Sequence, residues 1–128
     1  MTARIAHVAL WTRDLDAAAA FWRDVFNARI GEPYASARRV GFVSRFVTLG
    51  EGATVELMTG PWVGEASRDE NEGWDHIAVS LGSQAQVDRL AARCAREGRL
   101  VSAPRMTGDG FYEAVIAAPD GTRVEITS

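Results

Sequence analysis

Hydrophobic and polar positions alternate in two short segments of the chain. In "RIAHVALW", residues 4–11, the alternation predicts a strand with His7 and Trp11 on one face. The segment "WDHIAVSL", residues 74–81, predicts a second strand around His76. In both, the histidine is followed by a β-branched residue, an alanine and an aliphatic residue. The chain has only these 2 histidines, so their matching contexts indicate a duplicated element.

A helix is predicted after each of these strands. In residues 12–31 aromatic and aliphatic side chains recur at helical spacing, and either Asp14 or Asp16 can cap the helix. Residues 82–98 begin with a Ser-x-x-Gln capping box and end at a glycine, which predicts the second helix. The order of strand, helix and further strands therefore occurs twice.

The remaining alternating segments predict strands at residues 38–50, 53–60, 111–119 and 123–128. Residues 60–73 are rich in glycine and charge, and they predict a linker. We therefore predict one domain over 1–128, made of a first module at about 1–62 and a second at about 74–128.

The last strand of each half carries a glutamate between apolar residues, Glu56 in "TVELM" and Glu125 in "RVEIT". Glu56 and Glu125 are 69 residues apart, and so are His7 and His76. Taken singly, each of these residues is common on a protein surface. Two neutral imidazoles and two carboxylates together suit a divalent ion such as Zn²⁺, Ni²⁺, Mn²⁺ or Fe²⁺. Two related halves facing a common axis would bring the four side chains together.

Composition and charge exclude several classes of partner. The net charge of −3 argues against a general nucleic-acid binder, which needs a basic face. No apolar run is long enough to span a bilayer, which predicts no membrane partner. The single Cys94 excludes an internal disulfide and favours a reducing, cytoplasmic setting. A small molecule is the partner that remains.

The sequence resembles the vicinal oxygen chelate superfamily, the glyoxalase, bleomycin-resistance and extradiol-dioxygenase group. The resemblance covers essentially the whole chain and is carried by "HVALWTRDLDAAAAFW", "DHIAVS" and "GDGFYEAVIAAPDGTRVEIT". It implies an α+β fold of paired βαβββ modules whose mixed sheets form an open cup around a metal. It also implies a homodimer, with the ligands of one site drawn from one chain or from both.

The same resemblance implies one divalent metal ion held by four residues, namely His7, Glu56, His76 and Glu125. A glutamate at the place of Glu56 is the pattern of glyoxalase I. That enzyme isomerises a hemithioacetal by proton abstraction and enediolate stabilisation. The two glutamates are then the catalytic candidates, with Glu125 as the mobile base and Glu56 as the firmer ligand.

Substrate contacts are predicted from strand faces and from the loop before residue 112. Trp11 shares a strand face with His7, and Trp74 shares one with His76. Arg123 shares a strand face with Glu125, and Tyr112 is expected to border the pocket. These four are the predicted substrate-binding residues. Arg38 and Arg39 are interpreted as solvated surface charges.

Two positions depart from the glyoxalase I pattern. That enzyme typically has an arginine four residues after its first ligand histidine, where this chain has Trp11. It tends to have an asparagine four residues after its first ligand glutamate, where this chain has Gly60. Both residues serve glutathione, so the departures do not favour glutathione as the thiol.

Three functions stay open on the sequence. The first is a metal-dependent lyase or isomerase of glyoxalase I type that acts on a small carbonyl or hemithioacetal substrate. The second is another metalloenzyme of the same superfamily, either an oxygenase or a resistance-type transferase. The third is a non-catalytic protein that binds or sequesters a small molecule.

Overall fold

The computed structural model describes residues 1–67 and 70–128. The chain divides into two compact units, Met1–Ala66 and Ser67–Ser128. Residues 68 and 69, which belong to the predicted linker at 60–73, lie outside the described residues. In the part of the chain that is described, no helix is both long and apolar enough to cross a membrane.

The first unit packs one face of a mixed sheet against a helix. The last strand of the unit lies beside the first strand and parallel to it. On its other side, the last strand pairs in antiparallel fashion with the long strand that precedes it in the chain. Two short strands pair with the outer edge of this preceding strand and complete the sheet. The elements are β1 (His7–Trp11), α1 (Leu15–Phe26), β2 (Arg29–Ile30), β3 (Tyr34–Ala35), β4 (Val43–Thr48) and β5 (Thr54–Thr59).

The second unit repeats this arrangement with a four-stranded sheet in the order β6-β9-β8-β7. The first and last strands are again parallel neighbours, and the other pairs are antiparallel. The elements are β6 (His76–Ser80), α2 (Gln84–Arg96), β7 (Leu100–Met106), β8 (Tyr112–Ala117) and β9 (Arg123–Thr127). The predicted α+β class is confirmed, with helices packed on mixed sheets.

The duplication extends to the elements themselves. β1 and β6, α1 and α2, β4 and β8, and β5 and β9 each begin 69 residues apart. The first and last strands pair in the same register in both units, with His7 opposite Thr54 and His76 opposite Arg123. Residues 69 positions apart therefore occupy equivalent places in the two units.

Local sequence sets the helix ends. The Asp14 carboxylate caps α1 by accepting a hydrogen bond of 3.0 Å from the backbone N–H of Ala17. Asn27 ends this helix in a left-handed conformation, which asparagine tolerates better than most residues. At α2 the Ser83 hydroxyl accepts from the backbone N–H of Gln86, as the capping motif predicts.

Each helix covers one face of its sheet and leaves the other face uncovered within its unit. In the first unit Phe21 and Trp22 of α1 are buried with Leu57 of β5. In the second, Cys94 of α2 is buried on the same side as Ile116 of β8. The histidines and glutamates lie on the faces opposite these cores.

β7 is not among the strands that the hydrophobic pattern predicts. It lies at the edge of its sheet, contains Pro104, and its pairing with β8 shifts register twice. An edge strand with proline has few fully buried positions, so it leaves little alternation to detect. The two-residue strands β2 and β3 are too short to produce a pattern.

Candidate functional site

Strand register brings one histidine and one glutamate together in each unit. In β1 and β5, Glu56 stands two residues beyond Thr54, the register partner of His7. Because side chains alternate along a strand, His7 and Glu56 project from the same face as diagonal neighbours. Glu125 stands in the same relation to His76 in β6 and β9. Each unit therefore places one of the two histidines beside one of the two glutamates.

In the first unit, His7 Nε2 lies 3.8 Å from Glu56 Oε1. The rings of His7 and Phe46 of β4 pack edge to face, with 5.6 Å between the ring centroids. The Glu56 side chain is 18% exposed, while that of His7 is 48% exposed. The carboxylate is thus held within the sheet surface, and the imidazole is open to a ligand.

In the second unit, His76 Nε2 lies 3.2 Å from Glu125 Oε2. The other ring nitrogen, Nδ1, is 2.8 Å from the Asp75 carboxylate. When the Nδ1–H of His76 donates to the Asp75 carboxylate, the lone pair of His76 lies on Nε2, the nitrogen beside Glu125. Asp75 thereby orients His76 as carboxylates orient ligand histidines in metal sites. Its equivalent in the first unit is Ala6, so this support is not duplicated.

A further carboxylate, Glu113 of β8, projects from the same sheet face as Glu125, two residues before Val115, which is the register partner of Glu125. Burial raises the pKa of the Glu125 carboxyl above its ordinary value, and the hydrogen bond and charge of Glu113 raise that pKa further. The His76 ring acts in the opposite direction. The sequence repeat does not indicate Glu113, because this glutamate has no acidic counterpart in the other half. Its equivalent in the first unit is Ser44.

Three of the four predicted substrate contacts lie on or beside the ligand faces. Trp11 follows His7 on the same face of β1, and Arg123 is the register partner of His76. Trp74 precedes β6 and is 95% exposed. Tyr112 is not brought to the face of Glu125. It lies on the helix side of β8, and its hydroxyl donates a hydrogen bond to Asp88 of α2.

The family model of the Glyoxalase/Bleomycin resistance protein/Dioxygenase superfamily matches residues 4–126. The chain belongs to this superfamily. The resemblance that the sequence motifs carry is thereby confirmed.

A sequence relative of the chain is the uncharacterized protein PA2024 of Pseudomonas aeruginosa. It is 32% identical over 110 residues, which cover 82% of this chain and 73% of the relative. Among solved structures, a glyoxylase/bleomycin resistance protein/dioxygenase domain from Frankia sp. EAN1pec matches with a TM-score of 0.83. It is 20% identical and covers 99% of this chain and 92% of its own.

The trypanothione-dependent glyoxalase I of Leishmania major matches with a TM-score of 0.77 and 20% identity, over 99% of this chain and 87% of its own. Glyoxalase I from Zea mays matches with a TM-score of 0.77 and 21% identity. This chain spans 44% of that protein. At these identities the likenesses show the fold of the superfamily.

A divalent metal ion sets the spacing of the donor atoms that bind it. Two nitrogen or oxygen ligands at ordinary bond lengths on one ion are separated by about 3.0–3.4 Å. The separation of 3.2 Å between His76 and Glu125 meets this range, and 3.8 Å between His7 and Glu56 requires only a small side-chain movement. The donor chemistry and spacing of both pairs fit a divalent ion.

The predicted ligands are brought together as two pairs, one in each unit. Among residues 1–67 and 70–128, no group of three or more His, Cys, Asp or Glu side chains is placed to hold an ion. A pair of ligands is a half-site, since zinc-type centres use three or four protein ligands. A site with all four ligands therefore remains a prediction.

Proposed function

We propose that this protein is a metal-dependent lyase or isomerase of glyoxalase I type that acts on a small carbonyl compound or hemithioacetal. The observation that carries the proposal is the repeated pairing of a histidine Nε2 with a glutamate oxygen on an uncovered sheet face. The superfamily of the chain and its fold likeness to glyoxalase I enzymes support it.

The four donors of the two half-sites, His7, Glu56, His76 and Glu125, would together hold one divalent ion, namely Ni²⁺, Zn²⁺, Mn²⁺ or Fe²⁺. Two carboxylates balance the charge of such an ion, and two imidazoles complete a borderline donor set. The half-sites come from one chain or from two chains of a homodimer. When bound, the ion supplies Lewis-acid stabilisation of negative charge that develops on the substrate.

Glu125 is the proposed base. It takes a proton from the carbon beside the substrate carbonyl and returns it to the neighbouring carbon. Glu113 lies diagonally beside Glu125 on the same sheet face and is the proposed positioning residue for it. Glu56 pairs with His7 and has Ser44 at the position equivalent to Glu113, and it is the proposed fixed ligand. Two chemically equivalent glutamates thus receive different roles from their neighbours.

The substrate is a small molecule that contacts Trp11, Trp74 and Arg123. Neither nucleic acid nor membrane is a proposed partner. The setting is the reducing cytoplasm that the single cysteine favours, and Cys94 is a buried free thiol.

The proposal is tested by measuring the turnover of protein that has been loaded with one defined metal ion at a time. Chelator-treated protein, reloaded separately with Ni²⁺, Zn²⁺, Mn²⁺ or Fe²⁺, is assayed for isomerisation of hemithioacetals formed from 2-oxoaldehydes and a panel of thiols. We expect thioester formation with at least one ion, its loss on renewed chelation, and its return on adding that ion.

Two other outcomes would replace the proposal. Oxygen uptake with Fe²⁺ in place of isomerisation would assign an oxygenase. Absence of turnover with every ion, together with small-molecule binding that survives loss of all four donors, would assign a non-catalytic binding protein.

A further inference from the structure

A second cluster lies on the same sheet face as His7, and its chemistry differs from that of a metal site. The Arg39 cluster consists of Trp11, Arg39, Phe42 and Trp62. The Arg39 guanidinium carbon lies 4.2 Å from the centre of the Trp62 ring and 5.5 Å from that of Trp11. Trp11 packs at a right angle to Trp62 and to Phe42, at 6.2 and 6.1 Å between centroids. A cation therefore rests on two indole faces.

Glycine at position 60 allows Trp62 to take its place in the cluster. A Cβ atom at Gly60 would lie 2.4 Å from Trp62 Cζ2. The backbone at this point is thus in direct contact with the indole, and any side chain there would displace the ring. At Gly41, which has a φ of +91°, a Cβ atom would lie 2.8 Å from Pro61 Cδ. The chain after β5 packs closely on the loop that carries Arg39.

That loop is itself closed by hydrogen bonds. The backbone N–H of Ser36 donates to the Phe42 carbonyl at 3.1 Å, and the N–H of Phe42 donates to the Arg39 carbonyl at 3.0 Å. The Ser36 hydroxyl accepts from the N–H of Arg39 at 3.0 Å. Arg39 is thus presented from a fixed turn.

The guanidinium is stacked but not neutralised. Across the described parts of the chain, no carboxylate forms an ion pair with Arg39. Stacking on an aromatic ring occupies the face of the guanidinium and leaves its in-plane N–H donors available. A carboxylate accepts two such donors in a fork.

The cluster and the first half-site share a continuous surface. Trp11 is four residues beyond His7 in β1, which corresponds to roughly 13 Å along a strand. Met58 lies beside Trp11, and Phe42 directly precedes β4 in alternation with Phe46, which contacts His7. A molecule about that long can reach from His7 to Arg39 over an apolar surface.

Unlike the proposed metal donors, Trp11 and Arg39 of this cluster are not repeated in the second half of the chain. His7 and Glu56 have counterparts in His76 and Glu125, whereas the counterparts of Trp11 and Arg39 are Ser80 and Gly108. A group that serves both halves of a repeated site is retained in both. A group that recognises one end of an asymmetric substrate is needed once.

We infer that the Arg39 cluster is the subsite that binds a substrate carboxylate, so that the substrate is an organic acid with an apolar middle and a reactive carbonyl at the other end. The inference rests on the proposed function for the carbonyl end. The carboxylate subsite itself requires neither metal nor turnover, so it can be tested separately.

The test compares 3-phenylpropionate with the neutral 3-phenylpropionamide, titrated into the protein as purified and followed by NMR of the indole N–H signals. The chain has 4 tryptophans, and the signal of the buried Trp22 serves as the internal reference for the fold. We expect the carboxylate to bind at least about fivefold more tightly than the amide. Both probes should shift the signals of Trp11 and Trp62.

Arg39→Ala should remove this preference, and Arg38→Ala, the adjacent arginine in the same loop, should keep it. An unchanged Trp22 signal in Arg39→Ala shows that the variant is folded. Equal binding of the two probes to the parent would overturn the inference, as would equal effects of the two arginine variants.

A preference that survives in Arg39→Ala but disappears in His7→Ala would put the carboxylate at the metal donors instead. That result would overturn the inference and leave the proposed function standing. Conversely, failure of the isomerase assay with an intact Arg39-dependent preference would remove the proposed function and keep the carboxylate subsite.

Discussion

Glu125→Gln is expected to lower kcat of the metal-loaded protein by about 10²–10⁴-fold, the usual contribution of a positioned general base. The amide has nearly the same shape and keeps an oxygen that can act as a ligand, but it cannot take a proton. The loss should therefore persist at saturating metal. Measuring kcat across a metal titration separates the missing base from weaker metal binding.

Glu56→Gln is the matched control, because it makes the same chemical change at the equivalent position of the repeat. At saturating metal its kcat should be reduced much less, while the metal concentration for half-maximal activity should rise. If the two variants lose kcat equally, or if Glu56→Gln loses more, the assignment of Glu125 as the base is wrong.

The largest effect on stability is expected for Trp22→Ala, which should lower the free energy of unfolding by about 3–5 kcal/mol. Trp22 is 1% exposed, and its ring packs against Phe21 at 5.7 Å and against Phe26 at 5.3 Å between centroids. Removing the indole leaves a cavity under α1 that the helix and sheet cannot close. Denaturant titration of parent and variant at one pH measures the difference.

Trp74→Ala provides the control for that experiment. It deletes the same side chain at a position that is 95% exposed, so the expected change is within about 0.5 kcal/mol. A loss for Trp74→Ala as large as that for Trp22→Ala would contradict the burial on which the first-unit core is based.

The repeated elements could be predicted because they carry strong local signals. The alternation around His7 and His76 fixes the first strand of each unit, and the residues Asp14 and Ser83 fix the helix starts. The equal spacing of histidines and glutamates holds through the folded elements without insertion. Burial of one face gives these elements a pattern, and the pattern is what a sequence displays.

The edge elements could not be predicted for the opposite reason. β7 is half exposed, interrupted by Pro104 and irregular in register, and β2 and β3 are two residues long. Such strands are defined by their pairing to a neighbour. Pairing depends on the rest of the sheet, which local sequence does not display.

The candidate site was predictable where it is duplicated and unpredictable where it is not. Asp75 and Glu113 support only the second half-site, so no repeat reveals them. The sequence indicates only a surface charge at Arg39. The stacking of Arg39 on Trp62 depends on a close approach of two loops, which local sequence does not display. Gly60, a departure from the glyoxalase I pattern, permits that same stacking.

Metal content tests the central claim most directly. Elemental analysis is performed on protein purified without a histidine tag or chelator, beside the Glu56→Gln/Glu125→Gln double variant. The account predicts about one divalent ion per chain in the parent and its loss in the variant. A parent that contains no ion and takes up none of Ni²⁺, Zn²⁺, Mn²⁺ or Fe²⁺, or a variant that retains the parent's metal content, would contradict it.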